Sequence, residues 1–131
     1  MQGARNTVEN SVAEKTYRQL VVPEEEEILD ALGEWPDATE DGARVLTWRD
    51  SGGGSLTFSY DVLARSVRVR WLSGEGHQVM DVYREGATRL TPTSTPAAKH
   101  LSVEFHTGEC RGTMEIQVTP HFSVQDRLLF A

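Results

Sequence analysis

The chain is short of cysteine, short of lysine and free of long apolar runs, and each shortage removes a class of answer. One cysteine, Cys110, in 131 residues excludes an internal disulfide and a cysteine-rich zinc site. No apolar stretch approaches the roughly 20 residues that span a bilayer. Residues 1–12 are polar and lack the apolar centre of a secretory signal, so the expected location is the cytoplasm. Only two lysines, Lys15 and Lys99, occur among the 13 basic residues. No G-x-S-x-G, H-E-x-x-H, C-x-x-C or dinucleotide fingerprint is present. The glycine run at 51–55 lacks the lysine of a phosphate-binding loop, and no helix pattern follows it. It reads as a hairpin turn.

What the chain does have is acid, and the acid is in one place. Glu24, Glu25, Glu26, Glu27, Asp30, Glu34, Asp37, Glu40 and Asp41 fall in 18 consecutive residues that contain no Lys or Arg. The other 11 acidic residues are outnumbered by the 13 basic ones, so this segment accounts for the whole formal charge of −7. A local field of that kind attracts a basic partner or a cation and repels nucleic acid. A pI near 5.0, with no basic stripe carrying interleaved aromatics, also argues against nucleic-acid binding.

Length and composition fit one globular domain over 1–131: 38% hydrophobic and 25% charged residues are enough to build a core without staples. Residues 1–14 read as a weakly ordered tail or a short helix. Residues 17–22 are partly β-branched and predict a first strand. Pro23 suits the first position of a helix, and Glu24 to Glu27 suit its first turn, where the dipole favours negative charge. Ile28, Leu29, Leu32 and Trp35 then form an apolar stripe, and Gly33 and Pro36 are stop signals. A helix over about 23–33 is expected.

Beyond Asp41 the apolar period becomes two. Leu56, Phe58 and Tyr60, then Val67, Val69 and Trp71, then Leu101, Val103 and Phe105, then Met114, Ile116 and Val118 each alternate with polar residues. Residues 44–49, 77–84 and 87–90 add strands of poorer alternation. Residues 91–99, with Pro92 and Pro96, read as a longer mobile loop, and 122–130 fits strand and helix equally. The expected fold is α+β: a curved antiparallel meander of about six to seven strands, with the acidic helix packed on one face. Leu32 and Trp35 are expected to meet Phe58, Val69, Trp71, Phe105 and Ile116.

Two further clusters carry potential chemistry. If residues 108–111 form a four-residue loop, Phe105 lies opposite Met114 and Glu104 opposite Glu115, with His106 facing Thr113 and His100 facing Thr119. Paired carboxylates beside a histidine have the makings of a metal or acid–base site. A change of register placing Glu104 opposite Thr113 dissolves the pair, and a solvated face is the simpler account. Arg68 and Arg70, with Arg65 and Arg84 near in sequence, form a basic pair on the wet face of a strand. They fit an acidic ligand or the acidic helix of a second copy. Cys110 beside Arg111 has no base in sequence reach that would make it a nucleophile.

The reading these features favour is a non-enzymatic protein-interaction module, of the inhibitor or immunity type of bacterial protein, that docks Glu24, Glu25, Glu26, Glu27, Asp30, Glu34 and Asp37 on a basic partner surface. No cofactor and no bound metal are expected. A small-ligand or metal-binding domain, enzymatic or not, using the sheet concavity or Glu104, His106 and Glu115 is the alternative. An accessory domain that forms a homodimer is a second.

Overall fold

The computed structural model describes residues 19–130. The expected tail at 1–14 lies outside the described residues, as does the start of the first predicted strand. The elements are α1 (Glu25–Leu32), β1 (Asp37–Ala38), β2 (Arg44–Arg49), β3 (Ser55–Asp61), β4 (Ser66–Leu72), β5 (Gln78–Glu85), β6 (Ala87–Ser94), β7 (Lys99–Thr107), β8 (Cys110–Thr119) and β9 (Ser123–Phe130). Every strand pairs antiparallel with its sequence neighbour, except across the bend between β5 and β6.

The fold is α+β, as the periodicities predict, but the meander is split into two sheets. Strands β1 to β5 form one sheet and β6 to β9 the other. The split falls at Gly86, where the backbone turns through φ +85. The Ala87 N–H donates to the Arg65 carbonyl on the first-sheet side, while the Gly86 carbonyl accepts from the His106 N–H on the second-sheet side. A single bent strand therefore serves both sheets, one with each half. Glycine is required there twice over, by the positive φ and by the Thr107 methyl, which would lie 2.1 Å from an added Cβ.

Folding the meander at Gly86 turns the apolar faces of the two sheets toward one core. The alternation read from sequence selects the residues correctly. Leu56, Phe58, Tyr60, Val67, Val69, Leu101, Val103, Phe105, Met114, Ile116 and Val118 are all buried in one cluster with Ile28 and Leu32 of α1. Antiparallel pairing requires matched faces, and Leu56 opposite Trp71 and Phe58 opposite Val69 satisfy it. Trp71 meets Phe122 edge to face at 6.0 Å across the sheets. At the rim, Arg84 lies 4.6 Å from the centre of the Phe105 ring and pairs with Asp126 on β9 at 2.6 Å.

Three expectations are corrected. Residues 91–99 are not a long loop: β6 runs to Ser94, and the turn holds only the four residues before Lys99. Pro92 is tolerated because β6 is an edge. The Leu90 N–H points outward to Val21, so the groups of Pro92, two residues on, face the same unpaired side. The 122–130 segment, left open between strand and helix, is strand from Ser123 onward: β9 pairs along β8 from Gln117–Ser123 to Cys110–Phe130. The third concerns the β7–β8 hairpin, which closes with Thr107 opposite Cys110, leaving Gly108 (φ +58) and Glu109 in a two-residue turn. Phe105 then faces Gly112, not Met114. Both registers keep the apolar faces matched, so face parity alone does not separate them. Gly112 is constrained from the other side, where an added Cβ would sit 2.7 Å from the Arg127 carbonyl of β9.

Phe105→Ala should cost about 3–5 kcal/mol and Ser59→Ala, on the outer face, less than about 0.5 kcal/mol. Gly86→Ala should destabilise more than Gly76→Ala, whose Cβ meets nothing within 4 Å although φ is +85 at the first and +86 at the second. Denaturant midpoints measure all four.

Candidate functional site

The acidic helix is short, and its ends are fixed by local chemistry. Glu24 is the N-cap. Its carboxylate accepts from the Glu27 backbone N–H, and the Glu27 carboxylate accepts from the Glu24 N–H at 3.3 Å, a reciprocal capping box. Gly33 ends the helix with φ +82 and donates to the Leu29 carbonyl at 2.8 Å. At the last helical residue, the Trp48 indole N–H of β2 donates to the Leu32 carbonyl at 2.9 Å, in a buried bond. Ile28 and Leu32 face the core.

The nine carboxylates separate into two groups. Glu24 and Glu27 are used in the cap. Glu25 accepts from Arg44 of β2 at 3.1 Å, both side chains being partly exposed. The Tyr60 phenol beneath them is pushed up to about 12, first by burial and then by the Glu25 charge, with Arg44 opposing. Asp41 accepts from the Thr39 hydroxyl and the Ala43 N–H, and these bonds lower its pKa, the hydroxyl contributing most. The other group, Glu26, Asp30, Glu34, Asp37 and Glu40, makes no ion pair or side-chain hydrogen bond within the described residues, and all but half-buried Glu34 are exposed. Glu26 and Asp30 stand one turn apart on the same helix flank.

The helix also presents apolar surface that the stripe pattern assigns to the core. Leu29 is 39% exposed and Trp35 45% exposed. Trp35 does not reach Phe58 or Ile116, because α1 stops at Leu32 and the chain beyond Gly33 leaves the helical path. A period of 3.6 cannot be extended past its own stop signal. Trp35 instead lines a cleft of about 580 Å³ with Glu24, Glu25, Glu26, Arg44 and Tyr60. The position of Gly33 in the sequence was the signal that Trp35 leaves the stripe.

The alternative clusters are placed differently. Glu104 faces Thr113 and is exposed. Glu115 faces Ser102, whose hydroxyl donates to it at 2.7 Å, so the two carboxylates are diagonal and not opposed. His106 lies opposite Arg111 and His100 opposite Gln117. Among the described residues no group of three or more His, Cys, Asp or Glu is gathered where a metal ion would bind. Arg68 and Arg70 do lie together on the outer face of β4, and Asp81 of β5 occupies both. Arg68 holds it with two bonds of 2.9 and 2.7 Å, and Arg70 lies 3.7 Å from it. The Arg68 bond lowers the Asp81 pKa and raises that of Arg68. Arg84 is taken by Asp126. The glycine run is the β2–β3 turn, with Asp50 accepting from the N–H groups of Gly52 and Gly54 at 2.9 and 2.7 Å.

No protein-family model matches the chain, and no curated protein sequence matches it. Among solved structures it is similar to a chain of a contact-dependent growth inhibition toxin–immunity protein complex from Klebsiella pneumoniae 342. The TM-score is 0.73 at 17% identity, and the match covers 84% of this chain and 97% of that chain. At that identity the likeness is one of fold. No helix among the described residues is long and apolar enough to cross a membrane.

Trp35→Ala should cost less than about 1 kcal/mol, against about 2–5 kcal/mol for Ile28→Ala. Trp35 fluorescence should be quenched readily by acrylamide in a variant that keeps it as the sole tryptophan. Asp81 has a folded pKa below its unfolded one, so its contribution to stability is present above about pH 4 and is lost as pH falls through the folded value. Asp81→Asn should therefore flatten the stability–pH curve on the acid side, as read from thermal midpoints between roughly pH 2 and 5.

Proposed function

We propose that this protein is a non-enzymatic inhibitor of the immunity type, acting in the cytoplasm by covering a basic surface of a protein toxin with its α1 face. The observation that carries the reading is the exposed composition of that face. Glu26 and Asp30, without partners among the described residues, lie on the helix that also exposes Leu29, and exposed Trp35 follows it closely in the chain. Interfaces gain most of their affinity from a few buried aromatic anchors, while charge around them sets the encounter rate and the choice of partner. A toxin that handles nucleic acid carries a cationic site, which a −7 chain complements.

The structural neighbour supports the reading, since the chain similar in fold belongs to a toxin–immunity protein complex. Of the two sides of such a pair, the immunity side fits better here. The charge is segregated in residues 24–41, and several acidic side chains elsewhere are engaged in ordinary structural contacts: Asp81 with Arg68, Asp126 with Arg84, Glu115 with Ser102. The same charge disfavours nucleic acid as a ligand.

The test is co-expression with the product of the adjacent reading frame, followed by association kinetics at two salt concentrations. Wild type should rescue growth and bind faster at low salt. Glu26→Lys, Asp30→Lys and Glu34→Lys together should slow association roughly tenfold with the thermal midpoint little changed, because exposed helix charges are worth only about 0.2–0.5 kcal/mol each. Trp35→Ala should act mainly on the dissociation rate. Binding indifferent to both variants would remove the α1 face from the interface.

A further inference from the structure

A second concavity lies on the other flank of α1, between the helix and the outer edge of β6. It is a groove of about 560 Å³ whose apolar lining includes Val22, Ala31, Leu90 and Pro92, with Glu27 and Asp30 on the helix side and Arg89 on the strand side. Its backbone chemistry is one-sided for a reason visible in the chain. The segment before α1 pairs in parallel with β6 through a single bridge, Val21 to Arg89. The Val21 N–H donates to Thr88 and the Leu90 N–H donates to Val21, each at 2.9 Å. The next two rungs of a parallel ladder would need the N–H of residue 23, donating to the Leu90 carbonyl, and the N–H of residue 92, donating to residue 23. Both residues are proline. The ladder stops there, and the edge continues with carbonyls and no donors: that of Leu90, and two residues on that of Pro92, on the same outward side.

The groove therefore offers an apolar lining, backbone acceptors without ladder donors, and, beside one arginine, the Asp30 carboxylate together with that of Glu27, which also accepts from the Glu24 N–H. The group that complements this set carries a long apolar stem, several N–H donors, no acceptor and a positive charge. Lysine and arginine both have these properties, and arginine alone presents five donors in a planar fork that can meet backbone carbonyls and a carboxylate together. We infer that the α1–β6 groove receives an arginine side chain of the protein partner, borne on an extended segment that runs along β6. The inference rests on the proposed docking of a basic partner and adds where its cation enters and by what chemistry. It also assigns roles to residues outside the acidic run: Pro23 and Pro92 keep the edge open, and Arg89 opposes entry and so sets selectivity.

The experiment uses the full chain and small probes, so it is independent of whether the toxin is found. Blocked tripeptides Gly-Arg-Gly, Gly-Lys-Gly and Gly-citrulline-Gly are titrated against the isotope-labelled protein while backbone amide resonances are followed. Citrulline keeps the shape of arginine without its charge. The arginine peptide should move the amides of Ala31, Leu90 and Thr91 more than those around Trp35, the lysine peptide should do so less, and the citrulline peptide should not. Thr91→Trp, at an exposed strand position on the groove, should abolish these shifts while leaving resonances of the β4–β5 face in place. Arg89→Gln should tighten the arginine peptide roughly threefold. Shifts that ignore the groove, that are equal for citrulline, or that survive Thr91→Trp would overturn the assignment. Those results would leave the toxin test intact, and loss of toxin binding would leave these intact.

Discussion

An eight-residue helix has no independent existence in water, because nucleation costs more than so few turns return. The acidic surface of this protein therefore exists through two side chains. Ile28 and Leu32 are inserted between the folded halves of the meander, and the Trp48 indole holds the last turn by its carbonyl. The capping box and Gly33 fix where the helix begins and ends, while the core fixes that it is a helix at all. Four successive glutamates at its start are tolerated because two are spent on backbone N–H groups and a third on Arg44. The remaining acid has no structural employment, and that surplus makes the face a candidate for recognition.

Most of the fold was legible because antiparallel strands carry their burial in their parity. Leu56, Val69, Val103 and Ile116 needed only a period of two to be placed in the core. What parity does not encode is a shift of two residues, which preserves every face. The β7–β8 register stayed open between two alternatives for that reason, and the structure takes the one that sets Glu104 opposite Thr113 and away from Glu115. The bend that divides the meander was missed because Gly86 looks like any turn glycine until the Thr107 methyl is seen against it. Pro96 does lie in the turn, but Pro92 looked like part of a loop because an edge strand hides its tolerance for proline in a pairing that lies elsewhere in the chain.

At the surface the sequence showed which charges exist and not which are used. Arg68 and Arg70 read as a basic pair, and Asp81, on the next strand, binds Arg68 and lies 3.7 Å from Arg70. The acid of residues 24–41 read as uniform, and it divides into carboxylates bound into caps, turns and an ion pair, and carboxylates left in water. Only the second kind is free to meet a partner without first breaking a contact. Trp35 belongs with them, although its spacing from Ile28 placed it in the core.

The bent strand has a consequence for how the chain assembles. Every hairpin from β1 to β9 joins sequence neighbours, so each closes a short loop at small entropic cost, and the meander can zip without searching for distant strands. The exceptions are the contacts that seal the ends: Val21 against β6, α1 against β6 and β7, and Arg84 with Asp126. Those close the largest loops and have nothing to join until the sheets have folded toward each other. The acidic face is thus carried by the contacts of longest range in the molecule. A chain with its meander formed and its helix undocked would hold nearly all its strands and none of its recognition surface, so competence to bind would report on the completion of folding.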